Sequence, residues 1–145
     1  MTQEQKELLL KDLCARLPYG VKGNFQNSDD KLLRSITIMH RYLEPNGMVM
    51  TGDIKPYLFP ISSMTEEQKE ELIAITNGKF RYMCGDINNG IPRKNTGEWG
   101  ISENAYINGI KVINILYIWL LKNHFDINGL IPMGLANDAT GLNIY

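Results

Sequence analysis

The sequence predicts a single α+β domain of 145 residues, in which a small antiparallel sheet packs with a buried C-terminal helix, an N-terminal helix and a short middle helix. Three observations support this fold class. Two capping boxes open amphipathic segments, side chains alternate with a period of two in several short stretches, and a broad apolar face runs along residues 103–121. A chain of this length builds its own core without metal or disulfide staples.

The first helix is predicted to begin at Thr2, because a hydroxyl there with Gln5 three residues later forms a capping box. One apolar face then follows at helical spacing: Leu10, Leu13, Cys14 and Leu17. We therefore expect Cys14 to be a reduced core side chain, like Cys84. Pro18-Tyr19-Gly20 is expected to end the helix.

Several short strands are predicted after this helix. Residues 21–25 favour a short strand, and residues 35–42 and 48–51 favour a hairpin around the turn sequence 44–47. Residues 54–64 contain Pro56 and Pro60, so this segment is expected to be an extended connector rather than a central strand.

The second capping box, Thr65 to Gln68, predicts the middle helix, which should extend to about Ile75. Residues 79–84 alternate like a strand, and residues 85–100 form a long loop rich in Gly and Asn. Ser102 is expected to cap the C-terminal helix, whose width of apolar surface predicts near-complete burial. Residues 142–145 are a candidate last strand.

Composition narrows the function classes. Fifteen basic and sixteen acidic residues give a net charge of -1, which disfavours binding of extended nucleic acid. The polar N-terminus predicts no signal peptide, and residues 110–121 are too short to span a bilayer. We therefore expect a cytoplasmic protein without membrane attachment. Neither a metal motif nor a cofactor motif is recognisable, so no cofactor is predicted.

The most ligand-like residues lie in the long loop. Arg93 and Lys94 could meet phosphates and Trp99 could stack on a base, with Arg81 on the preceding strand as a further candidate. The alternative is a basic surface turn with Trp99 at the edge of the core. Similarly, His124 and Asp126 could supply two metal ligands, but a histidine also suits the C-terminus of a helix.

Several strings of the sequence are distinctive, namely residues 11–22, 55–60, 62–65, 123–126 with 129–132, and 138–145. These strings resemble a family of short hypothetical proteins found in gut Bacteroides-type bacteria and their phages. The resemblance covers about half of the chain. It implies a phage or mobile-element setting but supplies no catalytic residues.

Three hypotheses follow from the sequence. The first is a non-enzymatic binding protein, a phage accessory factor against host defence that sequesters a small nucleotide-like immune signal. The second is an interaction module that forms a homo-oligomer or inhibits a host protein. The third is a small hydrolase that uses carboxylates or His124.

Overall fold

The computed structural model describes residues 1–26, 35–75 and 103–145, with the side chains of the last segment described from residue 110 onward. The α+β class is confirmed. The chain divides into two compact units, Met1–Met64 with Leu120–Tyr145 and Thr65–Trp119. The predicted strand at 79–84 and the loop at 85–100 lie outside the described residues.

Helix α1 spans Gln3–Arg16 and begins as predicted. The Gln5 amide donates to Thr2 Oγ1 at 3.2 Å, and the Thr2 amide donates to Gln5 Oε1 at 2.8 Å. The helix runs into a 3-10 turn, Leu17–Tyr19, which ends at Gly20 in the left-handed conformation with φ 69°. Because glycine has no Cβ, it adopts this conformation without strain, so the predicted stop is confirmed.

The buried face of α1 differs from the predicted one. It consists of Leu9, Asp12, Leu13 and Arg16. Leu10 is 38% exposed and Cys14 is also exposed, so the prediction that both face the core is wrong. Leucines at positions 8–10 are compatible with two neighbouring apolar faces of the helix. The face that is buried contains the charged residues Asp12 and Arg16, so the sequence pattern favours the other face.

Within the described residues, four strands form one sheet in the order β2-β1-β3-β4. Their bounds are β1 Lys22–Phe25, β2 Ile36–Thr37, β3 Ile54–Leu58 and β4 Asn137–Asp138. The pairs β1–β2 and β1–β3 are antiparallel, whereas β3–β4 is parallel. The sheet is therefore mixed rather than wholly antiparallel, and the last strand is β4 instead of residues 142–145.

The predicted hairpin between residues 35–42 and 48–51 is wrong. Only Ile36–Thr37 is a strand, a 3-10 turn covers His40–Leu43, and Met48–Thr51 forms the short helix α2. The turn itself is present, since the Gly47 amide donates to Glu44 O at 2.7 Å. A Cβ on Gly47 would lie 2.5 Å from a backbone oxygen of the preceding turn. This close approach folds the chain back into a helix rather than a returning strand.

Pro56 lies within β3, although the sequence predicts an extended connector there. The pairing explains why a proline is tolerated. The backbone amide of Gln26 donates to Asp53 O at 2.8 Å, so Gln26 and Asp53 are a hydrogen-bonded pair. Because hydrogen-bonded and non-hydrogen-bonded pairs alternate along an antiparallel ladder, the Gly23–Pro56 pair is a non-hydrogen-bonded one. On the other side of β3, β4 pairs only from Tyr57 onward. No ladder bond is therefore lost at Pro56.

The core of the first unit lies between α1, α2, the sheet and the segment after the last helix. Its buried members are Leu9, Leu13, Val21, Ile38, Leu43, Val49, Met50, Ile54, Leu58, Leu130, Leu135 and Ala136. Gly23 in β1 lets this core close, because a Cβ there would lie 2.9 Å from Ile54 Cγ2 and from Lys55 O. The sheet and α1 thus share one apolar interior.

The second unit contains helix α3, Glu66–Ile75, and most of helix α4, Glu103–Lys122. The Thr65 capping box is confirmed. Helix α3 reaches Ile75, where this described range ends, so its predicted end stays a prediction. The predicted near-complete burial of α4 is wrong for the described side chains. Five of them are between 42% and 52% exposed: Ile110, Ile113, Ile115, Tyr117 and Ile118. Among the described helices, none is long and apolar enough to cross a membrane.

Candidate functional site

The four sequence-predicted ligand residues, Arg81, Arg93, Lys94 and Trp99, lie outside the described residues. Their role in binding therefore stays a prediction. The polar groups that the structure does place together belong to the first unit, and they form three features. These are a buried ionic anchor, an aromatic seam and an open groove beside α1.

The ionic anchor joins α1 to the segment that follows α4. Arg16 Nε donates to Asp12 Oδ2 at 2.6 Å, and Nη2 donates to Asp12 Oδ1 at 3.0 Å. Both side chains are 0% exposed. Nη2 also donates to Phe125 O at 2.7 Å. The third guanidinium nitrogen, Nη1, is buried without a hydrogen-bond partner among the described residues. The pair thus neutralises two buried charges and anchors a distant backbone segment.

Three further hydrogen bonds to carboxylates order the same segment. Asn128 Nδ2 donates to Asp12 Oδ1 at 2.8 Å. Asp126 accepts from the Leu130 and Ile131 amides, both at 2.8 Å. These bonds close the turn at residues 126–131, so each of the two buried carboxylates already has its partners inside the fold.

His124 is buried directly after α4 and lies in the left-handed region with φ 60°. Burial, together with the positive charges of Arg16 and Lys22, lowers the pKa of His124 from 6.5 to about 4. Its Nδ1 is buried without a hydrogen-bond partner in the described part of the chain. The neutral imidazole is therefore the form present near pH 7.

The aromatic seam is formed by Tyr145 and its neighbours. The ring of Tyr145 stacks on His124, with centroids 3.8 Å apart and planes 13° apart, and lies 5.9 Å from the ring of Phe59. Its hydroxyl donates to Tyr57 O at 2.8 Å and accepts from the Lys22 amide at 3.1 Å. Tyr145 is 41% exposed, but desolvation of its hydroxyl raises the pKa of Tyr145 to about 12, so the hydroxyl keeps the proton that it donates.

Sequence reasoning missed both the anchor and the seam. The i,i+4 spacing of Asp12 and Arg16 was visible and is typical of a helical ion pair, but such pairs are usually solvated. For Tyr145 no local pattern exists, because its partners Lys22 and Tyr57 are 123 and 88 residues away. The histidine was correctly placed at the end of a helix, but its burial was not foreseen.

The groove has a volume of about 320 Å³ and lies against one face of α1. Its lining residues are Gln3, Lys6, Glu7, Leu10, Leu43, Pro45 and Met50. Leu43 and Met50 are buried members of the core, so the floor is fixed by packing. Polar side chains of α1 line the same groove, which combines an apolar floor with one cation and one anion.

Over the described ranges 1–26, 35–75 and 103–145, no group of three or more His, Cys, Asp or Glu side chains is placed to hold a metal ion. No family model, curated protein or solved structure matches this sequence.

Proposed function

We propose that this protein is a non-enzymatic binding protein of the cytoplasm that captures a small nucleotide-like ligand. The groove beside α1 is the part of the described structure that supports this proposal. Its volume of about 320 Å³ is in the range of small-ligand sites. In a phage setting, which rests on the sequence resemblance, the biological form of the proposal is sequestration of a nucleotide immune signal.

The chemistry of the groove supports this ligand class. Lys6 supplies a cation for a phosphate, and Glu7 and Gln3 can accept from ring or sugar hydroxyl donors. Leu10 and Met50 supply apolar surface for a heterocyclic ring. An amphipathic anion of this kind uses both halves of the groove, which a purely apolar or purely ionic ligand does not.

The state of the buried titratable groups favours binding over catalysis. Asp12 and Asp126 are fully engaged by partners within the fold, and His124 is buried beneath Tyr145. A general acid or base must reach a substrate within hydrogen-bond distance. These three groups stabilise the fold instead, so they give the hydrolase hypothesis no support.

A thermal-shift screen with cyclic nucleotides and ADP-ribose derivatives tests the proposal. Because a ligand that binds only the folded state stabilises it, an excess of about a hundredfold over Kd adds about 2.7 kcal/mol to the free energy of unfolding. We expect Lys6→Glu and Leu10→Asp to abolish the shift in melting temperature.

The matched control is Lys11→Glu, which makes the same charge change on the same helix at an exposed position outside the groove lining. This variant should retain the shift. The proposal is wrong if no compound of the screen raises the melting temperature. If a compound does so equally in wild type, Lys6→Glu and Leu10→Asp, the ligand site is elsewhere than this groove.

A further inference from the structure

The β1–β3 ladder contains an inserted hydroxyl. The backbone amide of Gln26 donates to Asp53 O. Hydrogen-bonded pairs recur at every second position of an antiparallel ladder, so Asn24 faces Lys55 in the next such position and Lys22 faces Tyr57 in the one after it. The Lys22 amide donates to the hydroxyl of Tyr145, which donates in turn to Tyr57 O. The phenol oxygen therefore links the two strands at this pair.

Beyond this pair, a different segment lies beside β3. In an extended chain the backbone N–H and C=O groups of residues i and i+2 point to the same side. Those of Phe59 therefore point to the same edge as those of Tyr57. There the Phe59 amide donates to His124 O at 2.9 Å, and the Asp126 amide donates to Phe59 O at 2.8 Å. The junction between β1 and residues 124–126 is thus where the tyrosine is inserted. We call this junction the tyrosine slot, lined by Lys22, Tyr57, Phe59 and His124.

The slot recognises each part of a tyrosine residue separately. His124 stacks on the face of the ring, and Phe59 contacts it in a tilted arrangement. Lys22 Nζ lies 5.8 Å from the ring centroid and donates to the carbonyl of the preceding residue, Ile144. The two strands provide one acceptor and one donor for the hydroxyl. Phenylalanine would remove both of these hydrogen bonds.

The segment that carries the tyrosine is held mainly at this point. Residues 140–143 are exposed, and Gly141 has a positive φ of 74°. The backbone amides of this segment with a described partner donate to near neighbours: Thr140 to Asp138 Oδ1, Leu142 to Ala139 O and Ile144 to Leu142 O. The segment is held through Ile144 O, which accepts from Lys22 Nζ, and through the hydroxyl of Tyr145. It therefore behaves as an intramolecular ligand rather than as part of the sheet.

We infer that the tyrosine slot is a recognition site for a peptide segment that presents a tyrosine after a free backbone carbonyl, and that the chain fills it with its own Tyr145. The intramolecular segment excludes peptides from the slot, because tethering gives it a high effective concentration. This site is separate from the groove beside α1, so it does not depend on the proposed ligand function.

The test uses full-length Tyr145→Ala and a fluorescent peptide of residues 139–145 with blocked ends, monitored by anisotropy. The peptide should bind Tyr145→Ala, and it should bind the wild type roughly a hundredfold more weakly because the slot is occupied. The same peptide with phenylalanine in place of tyrosine should bind Tyr145→Ala about tenfold more weakly, since both hydrogen bonds of the hydroxyl are lost.

Two results would overturn the inference: no binding to Tyr145→Ala, or equal binding of the tyrosine and phenylalanine peptides. If Tyr145→Ala is unfolded by circular dichroism, the peptide must restore the folded spectrum, and failure to do so counts against the slot. Tyr145→Phe gives an independent measurement. Amide exchange at Lys22 should accelerate about tenfold in this variant, and an unchanged rate contradicts the inserted hydroxyl.

Discussion

Helices α1 and α3 begin alike but differ in the solvent exposure of their ion pairs. Each opens with a Thr–Gln capping box, and each carries an ion pair with a shortest N–O distance of 2.6 Å. In α1 the pair Asp12–Arg16 is 0% exposed on both sides. In α3 the side chains of Lys69 and Glu66 are 40% and 82% exposed.

The difference shows that distance alone does not rank these interactions. Water screens the α3 pair, whose partners lose little when they separate. The α1 pair has no water to replace either partner, and Arg16 also holds Phe125 O. Removing one member of a buried pair leaves the other charge uncompensated. The buried pair is therefore the one whose loss the fold should not tolerate.

The largest expected effect is that of Arg16→Met, which keeps an apolar side chain of similar length but removes the charge. Asp12 would then be a buried carboxylate without its counter-ion, and Phe125 O would lose its donor. We expect the free energy of unfolding to fall by about 3–5 kcal/mol, measured by urea denaturation. A loss below about 1 kcal/mol would show that the two pairs are equivalent.

The double variant Asp12→Leu/Arg16→Met is the matched control. It removes both charges, so part of the lost stability should return relative to Arg16→Met. If the double variant is less stable than the wild type by the sum of the losses of Asp12→Leu and Arg16→Met measured singly, the penalty arises from packing rather than from the unpaired charge.

A smaller effect on the free energy of unfolding is expected from a change of pH, because Arg16 of the ionic anchor contributes to the lowered pKa of His124. The folded pKa of His124 is about 4, below the ordinary 6.5, with Arg16, Lys22 and the ring of Tyr145 around it. The unfolded chain therefore binds the proton more readily between these values. Stability contributed by the neutral ring is complete above about pH 6.5 and is lost as pH falls towards 4.

His124→Asn tests this dependence, because asparagine tolerates the left-handed backbone but does not titrate. The wild type should lose more stability than the variant between pH 7 and pH 4.5, as measured by urea denaturation at each pH. Between pH 7 and pH 8 the stability difference between the two proteins should stay constant. A difference that is the same at pH 4.5 and pH 7 would show that the ring is not buried neutral.

The smallest expected effect is that of Lys69→Ala in α3. An exposed i,i+3 pair contributes about 0.3–0.5 kcal/mol, and the loss should shrink further in 1 M salt because the charges are screened. Melting temperatures at low and high salt provide the measurement. A loss comparable to that of Arg16→Met would remove the contrast between the two helices.

Local patterns predicted where α1 and α3 begin. The capping boxes at Thr2 and Thr65 fixed the starts of α1 and α3, and Gly20 fixed a stop, because each of these depends on a few neighbouring residues. The strand at Lys22–Phe25 and the turn that ends at Gly47 were also predictable.

Long-range contacts decided what local patterns could not. Pro56 was excluded from a central strand by propensity, but its place in the ladder removes the penalty. The side chains of residues 48–51 fit the alternation of a strand, but these residues form a helix. The helix follows Gly47, where the backbone lies too close to Tyr42 for a Cβ. No local pattern around Arg16 indicates burial, whereas its partners at Asp12 and Phe125 bury it. The residues proposed from sequence for ligand binding lie outside the described ranges.

The seam at Tyr145 also bears on how the chain assembles during synthesis. Lys22 and Tyr57 leave the ribosome long before the residue that joins them, and Arg16 precedes Phe125 by 109 residues. Such distant contacts require large loops to close, which slows folding. The nascent chain can therefore form α1 and part of the sheet early. The link between Lys22 and Tyr57 stays incomplete until translation passes position 145.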